Sequence, residues 1–349
     1  MNVLPRSARL GGRLVDAAGN VRLGIFPEPI DEVNHEDFPL ADPFGRPRTR
    51  LGRYFAFNQF QFLGALAEEL VFGCAIADLK YVGTAFVYCY DPRDRRLCEY
   101  SFRRPLALGT RFDQYPETGT VTFRSGKNRI EMLASEAPRE RRLVVRLARG
   151  VSIDAVFSEE RPAIEPMRIC TRAGAAGWVF ARKTAGLAMS GTVEWEGVTY
   201  DLGTIGIYGH HDWSAGFMRR HTFWNWGCLA GRTRDGRVLG MNVSCGVNET
   251  SFTENCFWLD GRLHKLDSVA FEYDHRDLAR PWRLASYDGR LELEFRPEGK
   301  HAEKVNAWVV ATNFNQLFGR YYGRLETAEG DCVAIDGMLG YAESHYAKW

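Results

Sequence analysis

The chain has 349 residues, of which 45% are apolar and 26% charged, with a formal net charge of +1. That balance is ordinary for a folded protein and excludes the concentrated basic surface of a nucleic-acid binder. The length allows two domains or one large β domain. Residues 1–24 carry Arg6, Arg9, Arg13, Asp16 and Arg22 and lack the apolar core of a signal peptide. No run reaches the ~20 apolar residues of a membrane helix. The expectation is a cytoplasmic protein, at most peripheral to a membrane.

Residues 16–20 read as a turn. Residues 54–62 are rich in aromatics and read as a strand. Residues 65–71 could hold one helical turn. Residues 79–90 and 97–102 read as strands joined by Asp91-Pro92-Arg93-Asp94. Strand patterns recur at 118–123, 129–133 and 142–146, with a hairpin turn at 125–128. The most basic run, Arg139-Glu140-Arg141-Arg142, is diluted by Glu136 and reads as a charged turn. Pro162 and Pro166 stand in a charged stretch that would interrupt a strand ladder. They place a domain boundary there, giving units of residues 1–165 and 166–349.

The second half repeats the pattern. Glu196-Gly197, Asp235-Gly236 and Asp260-Gly261 separate apolar stretches, as hairpin turns do. Leu291 to Phe295 alternates strictly, as a half-solvated strand should. The reading is all-β, with two antiparallel barrel or sandwich domains. Eight cysteines form no C-x-x-C pair, and several sit in apolar runs. They read as free, small hydrophobes of a reducing compartment.

The segment from Tyr208 to Trp226 concentrates chemistry. In an extended chain, Tyr208, His210, Asp212 and Ser214 share one face, and His211 and Trp213 share the other. The first face would offer an acid, a base and an orienting carboxylate. Trp224 and Trp226, flanking Asn225, would form an aromatic wall. A carboxylate buried beside such a wall has a raised pKa and serves as a general acid near neutral pH. Tryptophans in such a segment also serve simply as core. Glu343 and His345 would share a face near the chain end and join the site. His35, His264, His275 and His301 lie in polar surroundings and read as surface residues. His210 and Asp212 with His221 could also ligate a zinc ion. Asp212-Trp213-Ser214-Ala215-Gly216 lacks the first glycine of a nucleophile elbow. Gly203, Gly206 and Gly209 miss the dinucleotide-binding spacing. No cofactor is signalled.

At these residues the chain resembles the DUF2804 family. The matching features are Gly11-Gly12-Arg13-Leu14-Val15-Asp16 with Gly19, Gly177-Trp178 with Lys183, and His211-Asp212-Trp213-Ser214-Ala215-Gly216. Arg220-His221-Thr222-Phe223-Trp224-Asn225-Trp226 and the closing residues 337–349 also match. More distantly, the chain is similar to the lipocalin-like group of carotenoid 1,2-hydratases and pericyclic cyclases. That resemblance implies two lipocalin-like domains with an apolar pocket. It also implies a catalytic patch at Tyr208, His210 or His211, Asp212 and Trp213, with Ser214 where the pattern continues with glycine.

Three functions follow as expectations. The first is an enzyme for hydration, cyclisation or isomerisation of an apolar unsaturated molecule, with Asp212 as acid and His210 or His211 as its partner. The second is a lipid-binding carrier using the same cavity. The third is a metal-dependent hydrolase. The partner in the first two is an apolar small molecule or lipid.

Overall fold

The computed structural model describes residues 12–246, 252–307 and 310–348. Two antiparallel sheets dominate, each curled into a half-barrel. The first sheet begins with β1 (Gly24–Ile25), β2 (Asn58–Leu66), β3 (Val71–Asp78), β4 (Val82–Asp91) and β5 (Arg96–Pro105). It continues through β6 (Thr110–Phe112), β7 (Thr120–Ser125), β8 (Asn128–Glu136), β9 (Arg139–Arg146) and β10 (Val151–Ser158). It ends with β11 (Met167–Ala173), β12 (Gly177–Trp195), β13 (Val198–Asp201) and β14 (Tyr208–Gly216). The second sheet holds β15 (His221–Arg232), β16 (Val238–Cys245), β17 (Cys256–Leu259), β18 (Arg262–Lys265) and β19 (Val269–Glu272). It is completed by β20 (Trp282–Ser286), β21 (Leu291–Asn306), β22 (Ala311–Glu326) and β23 (Cys332–Lys348).

The all-β expectation of two lipocalin-like units holds. The boundary does not lie at 165/166. β12 pairs with β10, and β14 pairs with β2, so strands beyond residue 166 complete the first sheet. The change of sheet comes between Gly216 and His221. Pro162 and Pro166 occupy only the connection from β10 to β11. Proline breaks a ladder locally, but it does not stop later strands from returning to the same sheet.

The hairpin signals have a direct cause. Glu196 and Gly197 have φ of 51° and 79°, and Asp260 and Gly261 have 49° and 89°. Two successive left-handed residues make the turn whose twist matches the flanking strands. Residues 65–71 hold no helical turn, because β2 runs to Leu66 and β3 starts at Val71. The one α-helix among the described residues, α1 (Arg50–Ala56), takes the start of the aromatic run instead. Thr49 caps it by accepting from the Gly52 amide at 3.1 Å. Arg139-Glu140-Arg141-Arg142 is the start of β9 rather than a turn, and Arg141 is buried.

The main apolar core fills the first half-barrel and continues into Trp226, Cys228, Trp258, Phe318 and Tyr341 of the second sheet. The sheets are therefore packed against one another. Polar links cross the junction: Arg320 pairs with Glu68 at 2.7 Å, and Trp258 Nε1 donates to the Glu165 carbonyl at 2.7 Å. Among the described residues, no two cysteines are joined by a disulfide. No helix among the described residues is long and apolar enough to cross a membrane.

Candidate active site

Strand register builds one wall of the junction. In β14, Asp212 stands opposite Lys183 of β12 on one side and Phe62 of β2 on the other. His210 stands opposite Ala185 and Gly64, and Gly64 in turn opposes Gly73, which opposes Tyr88. These two glycines make room. A Cβ on Gly64 would sit 2.6 Å from His210 Nε2, and one on Gly73 would sit 2.4 Å from the Tyr88 ring. His210 and Tyr88 can therefore lie down along the sheet toward each other.

The second sheet supplies the facing wall in the same way. His301 of β21, Gln316 of β22, Glu343 of β23 and Trp226 of β15 stand in one cross-strand row. A neighbouring row holds Phe314, His345 and Trp224. The two walls touch: the His210 ring lies 5.2 Å from Tyr341 and 6.0 Å from Trp226.

A charged cluster sits at this junction. Lys183 Nζ is 2.9 Å from Asp212 Oδ2 and 2.7 Å from Glu254 Oε1. Burial alone would lower the lysine pKa, but the two carboxylates carry it above its ordinary value. Asp212 is raised, because burial and the charge of Glu254 outweigh Lys183 and the 3.0 Å hydrogen bond from Ser214. Glu254 is lowered, because Lys183 overrides its burial. Glu343 is pushed up to about 7 by burial, with the charge of Asp212 adding to it. Hydrogen bonds from Gln316 at 2.7 Å and from Trp224 at 3.3 Å only partly offset that rise. Burial also holds His210 and His345 neutral, each lowered to about 3.

Several buried polar atoms at the junction have no hydrogen-bond partner: His210 Nε2, His301 Nε2, Gln316 Oε1 and His345 Nδ1. The hydroxyls of Tyr88 and Tyr341 face each other without a well-formed hydrogen bond. Buried polar groups are normally satisfied, so these atoms could accept from or donate to a bound molecule or water.

The expected hollow is filled by rings from both walls. Tyr90 stacks on Phe318 at 4.4 Å, and Tyr88 meets Phe318 edge-on at 5.2 Å. An open groove of about 430 Å³, lined by Arg111, Asp113 and Arg124, lies elsewhere. A shallow dent borders Trp213 and Arg141. Neither reaches Asp212. The junction meets solvent at one edge, where the Asp212 side chain keeps 15% exposure and Trp224 and His345 are half-buried.

The chain matches the family model described as domain of unknown function (DUF2804) over residues 7–349. It belongs to the DUF2804 family. Among solved structures, kievitone hydratase from Nectria haematococca superposes with a TM-score of 0.52 at 9% identity. The match covers 83% of this chain and 88% of that one. CghA superposes at 0.52 with 11% identity, over 97% of this chain and 96% of its own. CghA with Sch210972 gives 0.53 at 10%, over 97% of each. At such identities the likeness shows the fold alone. No curated protein matches this DUF2804 chain in sequence.

Within the DUF2804 chain, the sequence-expected residues divide. His210, Asp212, Trp224, Trp226, Glu343 and His345 meet at the junction. Neither histidine is the partner of Asp212; that place is taken by Lys183. His211 lies on the opposite face, 3.1 Å from Gln61, among Arg141, Arg182 and Glu159. Trp213 also points away and packs 6.0 Å from both Phe112 and Phe180. Asn225 turns into the second half-barrel and donates to Tyr273 at 2.9 Å. Tyr208 sits at the end of the strand beneath the Arg232 guanidinium. His221 is exposed and pairs with Tyr346 at 2.9 Å, so it cannot join His210 and Asp212 around a metal. The Lys183 ammonium holds the point between Asp212 and Glu254 where a cation would sit. Among the described residues, no group of three or more metal-ligating side chains converges.

Lys183, Glu254 and His301 were not foreseen as site residues, whereas Gln316 falls in Asn313-Phe314-Asn315-Gln316, a run that reads either as cavity lining or as a strand edge. Lys183 had two signals, its place with Gly177-Trp178 among the family features and the charged pair Arg182-Lys183 inside an apolar strand. Glu254 had none. His301 and His264 are buried rather than at the surface.

Proposed function

We propose that this protein is an acid–base enzyme acting on an apolar unsaturated small molecule held between the two sheets. The observation that carries the reading is Glu343. Its carboxyl is raised to about 7, beside two indoles and next to an anionic cluster with a single cation. Such a group is protonated often enough at neutral pH to donate, and weak enough to be recovered. Glu343 replaces Asp212 as the acid. Burial, with the charge of Asp212 adding to it, keeps the Glu343 proton in place against the pull of Lys183. Trp224 and Trp226 would stabilise a developing cation by roughly 0.5–2 kcal/mol. Hydration, and the cyclisations and isomerisations that run through a carbocation, begin with such a proton. One protein of the same fold is named a hydratase, which accords with the reading.

Binding requires the rings at the junction to part, starting at the solvent-reached edge by Trp224 and His345. The ring-filled junction equally suits a carrier that shelters an apolar ligand unchanged. The two readings separate in deuterated water, using small molecules that co-purify with the protein and are identified by native mass spectrometry. The enzyme reading expects wild-type protein to place deuterium on a ligand carbon, and Glu343→Gln to bind the ligand without doing so. Retention of ligand with no exchange by wild-type protein supports the carrier.

A further inference from the structure

His301 stands outside the acid cluster. It is 1% exposed, and its Nδ1 lies 2.6 Å from Glu99 Oε2 on the other sheet. A carboxylate only accepts, so Nδ1 carries the proton and donates it to Glu99. In the neutral ring, Nε2 is then a bare acceptor. It has no partner, and it is enclosed by Phe86, Tyr88 and Phe314, each 5.2–5.3 Å from the imidazole. The carboxylate–imidazole pair is thus assembled with its basic nitrogen facing an aromatic box and nothing to accept from. Burial keeps the ring neutral against the pull of Glu99 and Glu303, the latter itself paired with Arg103.

The register sets the distance to the acid. His301 and Glu343 are separated by one strand, with Gln316 between them in the same row. Neighbouring strands lie ~4.8 Å apart, so the two backbones are roughly 10 Å apart. That span matches a molecule of one or two rings lying across Gln316, whose Oε1 is also unpartnered.

We infer that the junction takes a hydroxylated, ring-bearing substrate, with His301 Nε2 accepting the hydroxyl proton and Glu99 orienting the ring. This rests on the acid-site reading and adds its base. In the step, the O–H bond breaks, its electron pair stays on the substrate oxygen, and the proton passes to Nε2. The imidazolium that forms is balanced by the Glu99 carboxylate, which is 44% exposed and can return the proton to solvent.

The test uses 2-naphthol and 2-methylnaphthalene, two rigid two-ring probes that differ in one hydroxyl, read by tryptophan fluorescence. Wild-type protein is expected to bind 2-naphthol at least tenfold more tightly. His301→Phe should remove the preference while keeping 2-methylnaphthalene binding. Glu99→Gln, at a half-exposed position where folding is not at risk, should reduce the preference and perturb the ¹⁵N shifts of His301. Equal binding of both probes by wild-type protein overturns the role of His301 and leaves the acid site standing. Failure of wild-type protein to bind either probe overturns both.

Discussion

Strands β12 and β14 carry two buried charge clusters, one on each face, and the two are built on opposite terms. On the face inside the first half-barrel, Arg182 grips Glu159 with both terminal nitrogens, at 2.8 and 2.6 Å, and Glu117 with Nε at 2.8 Å. Arg168 binds Glu117 at 2.5 Å, and Arg141 donates to the Pro116 carbonyl at 2.8 Å. With Arg139 3.7 Å from Glu159, four guanidiniums serve two carboxylates. Despite burial, Glu117 falls to about 2 and Glu159 falls further. On the other face, starting one residue along each strand, a single ammonium serves Asp212 and Glu254, with Glu343 close enough to feel Asp212. There the carboxyl pKa values of Asp212 and Glu343 rise. The comparison teaches that cation supply decides what a buried carboxyl does. The first cluster locks charges in place and fixes the strands. The second leaves a proton in play on the strands so fixed.

The largest effect should come from breaking the locked side. Arg182→Met removes the guanidinium that bridges two buried carboxylates, and breaking such a buried pair costs roughly 3–5 kcal/mol. Thermal unfolding should show a large loss at pH 7. Lys183→Met offers the contrast. Its loss should be smaller, and smaller at pH 5 than at pH 8, because Asp212 and Glu254 can take up protons. Equal, pH-independent losses for both variants would erase the distinction drawn here.

The next effect is a pH slope of opposite sign for the two clusters. Glu343 has a folded pKa near 7 against an ordinary 4.5. The folded state therefore binds more protons between those values, and stability present below 4.5 is lost as pH rises through 7. The difference amounts to about 3 kcal/mol. It should appear as wild-type stability minus that of Glu343→Gln, from urea unfolding between pH 5 and 8. Glu117 works the other way. Its pKa is lowered to about 2, so its stabilisation is present above 4.5 and lost as pH falls toward 2. Glu117→Gln should flatten the acid limb.

The smallest effect probes how the site is shaped. Gly64→Ala puts a methyl group against the His210 imidazole. Crowding of this kind costs roughly 1–3 kcal/mol. The His210 ring resonances should shift while those of His211, on the opposite face, stay in place.

Local features were legible in the sequence, and long-range pairing was not. The period of two and the Glu196-Gly197 and Asp260-Gly261 turns follow from local sterics, so strands and hairpins could be read directly. The same alternation placed His210 and Asp212 on one face and His211 and Trp213 on the other. It also set Glu343 beside His345. Sheet membership depends on which distant strand closes the edge, so the pairing of β14 with β2 escaped and the boundary was set about fifty residues early. Partners of Asp212 escaped for the same reason, since Lys183 and Glu254 reach it through strand pairing and a connection. His301 misled because Lys300 and Lys304 beside it are exposed while its own face is buried against the first sheet.

The account turns on one proton. A ¹³C titration of the side-chain carboxyls, with Glu343 assigned by comparison with Glu343→Gln, measures it directly in the folded protein. The midpoint of Glu343 should fall near 7 and move down in Asp212→Asn, which removes the neighbouring negative charge. A midpoint at or below the ordinary glutamate value would contradict the account, since the acid would then be fully ionised at neutral pH.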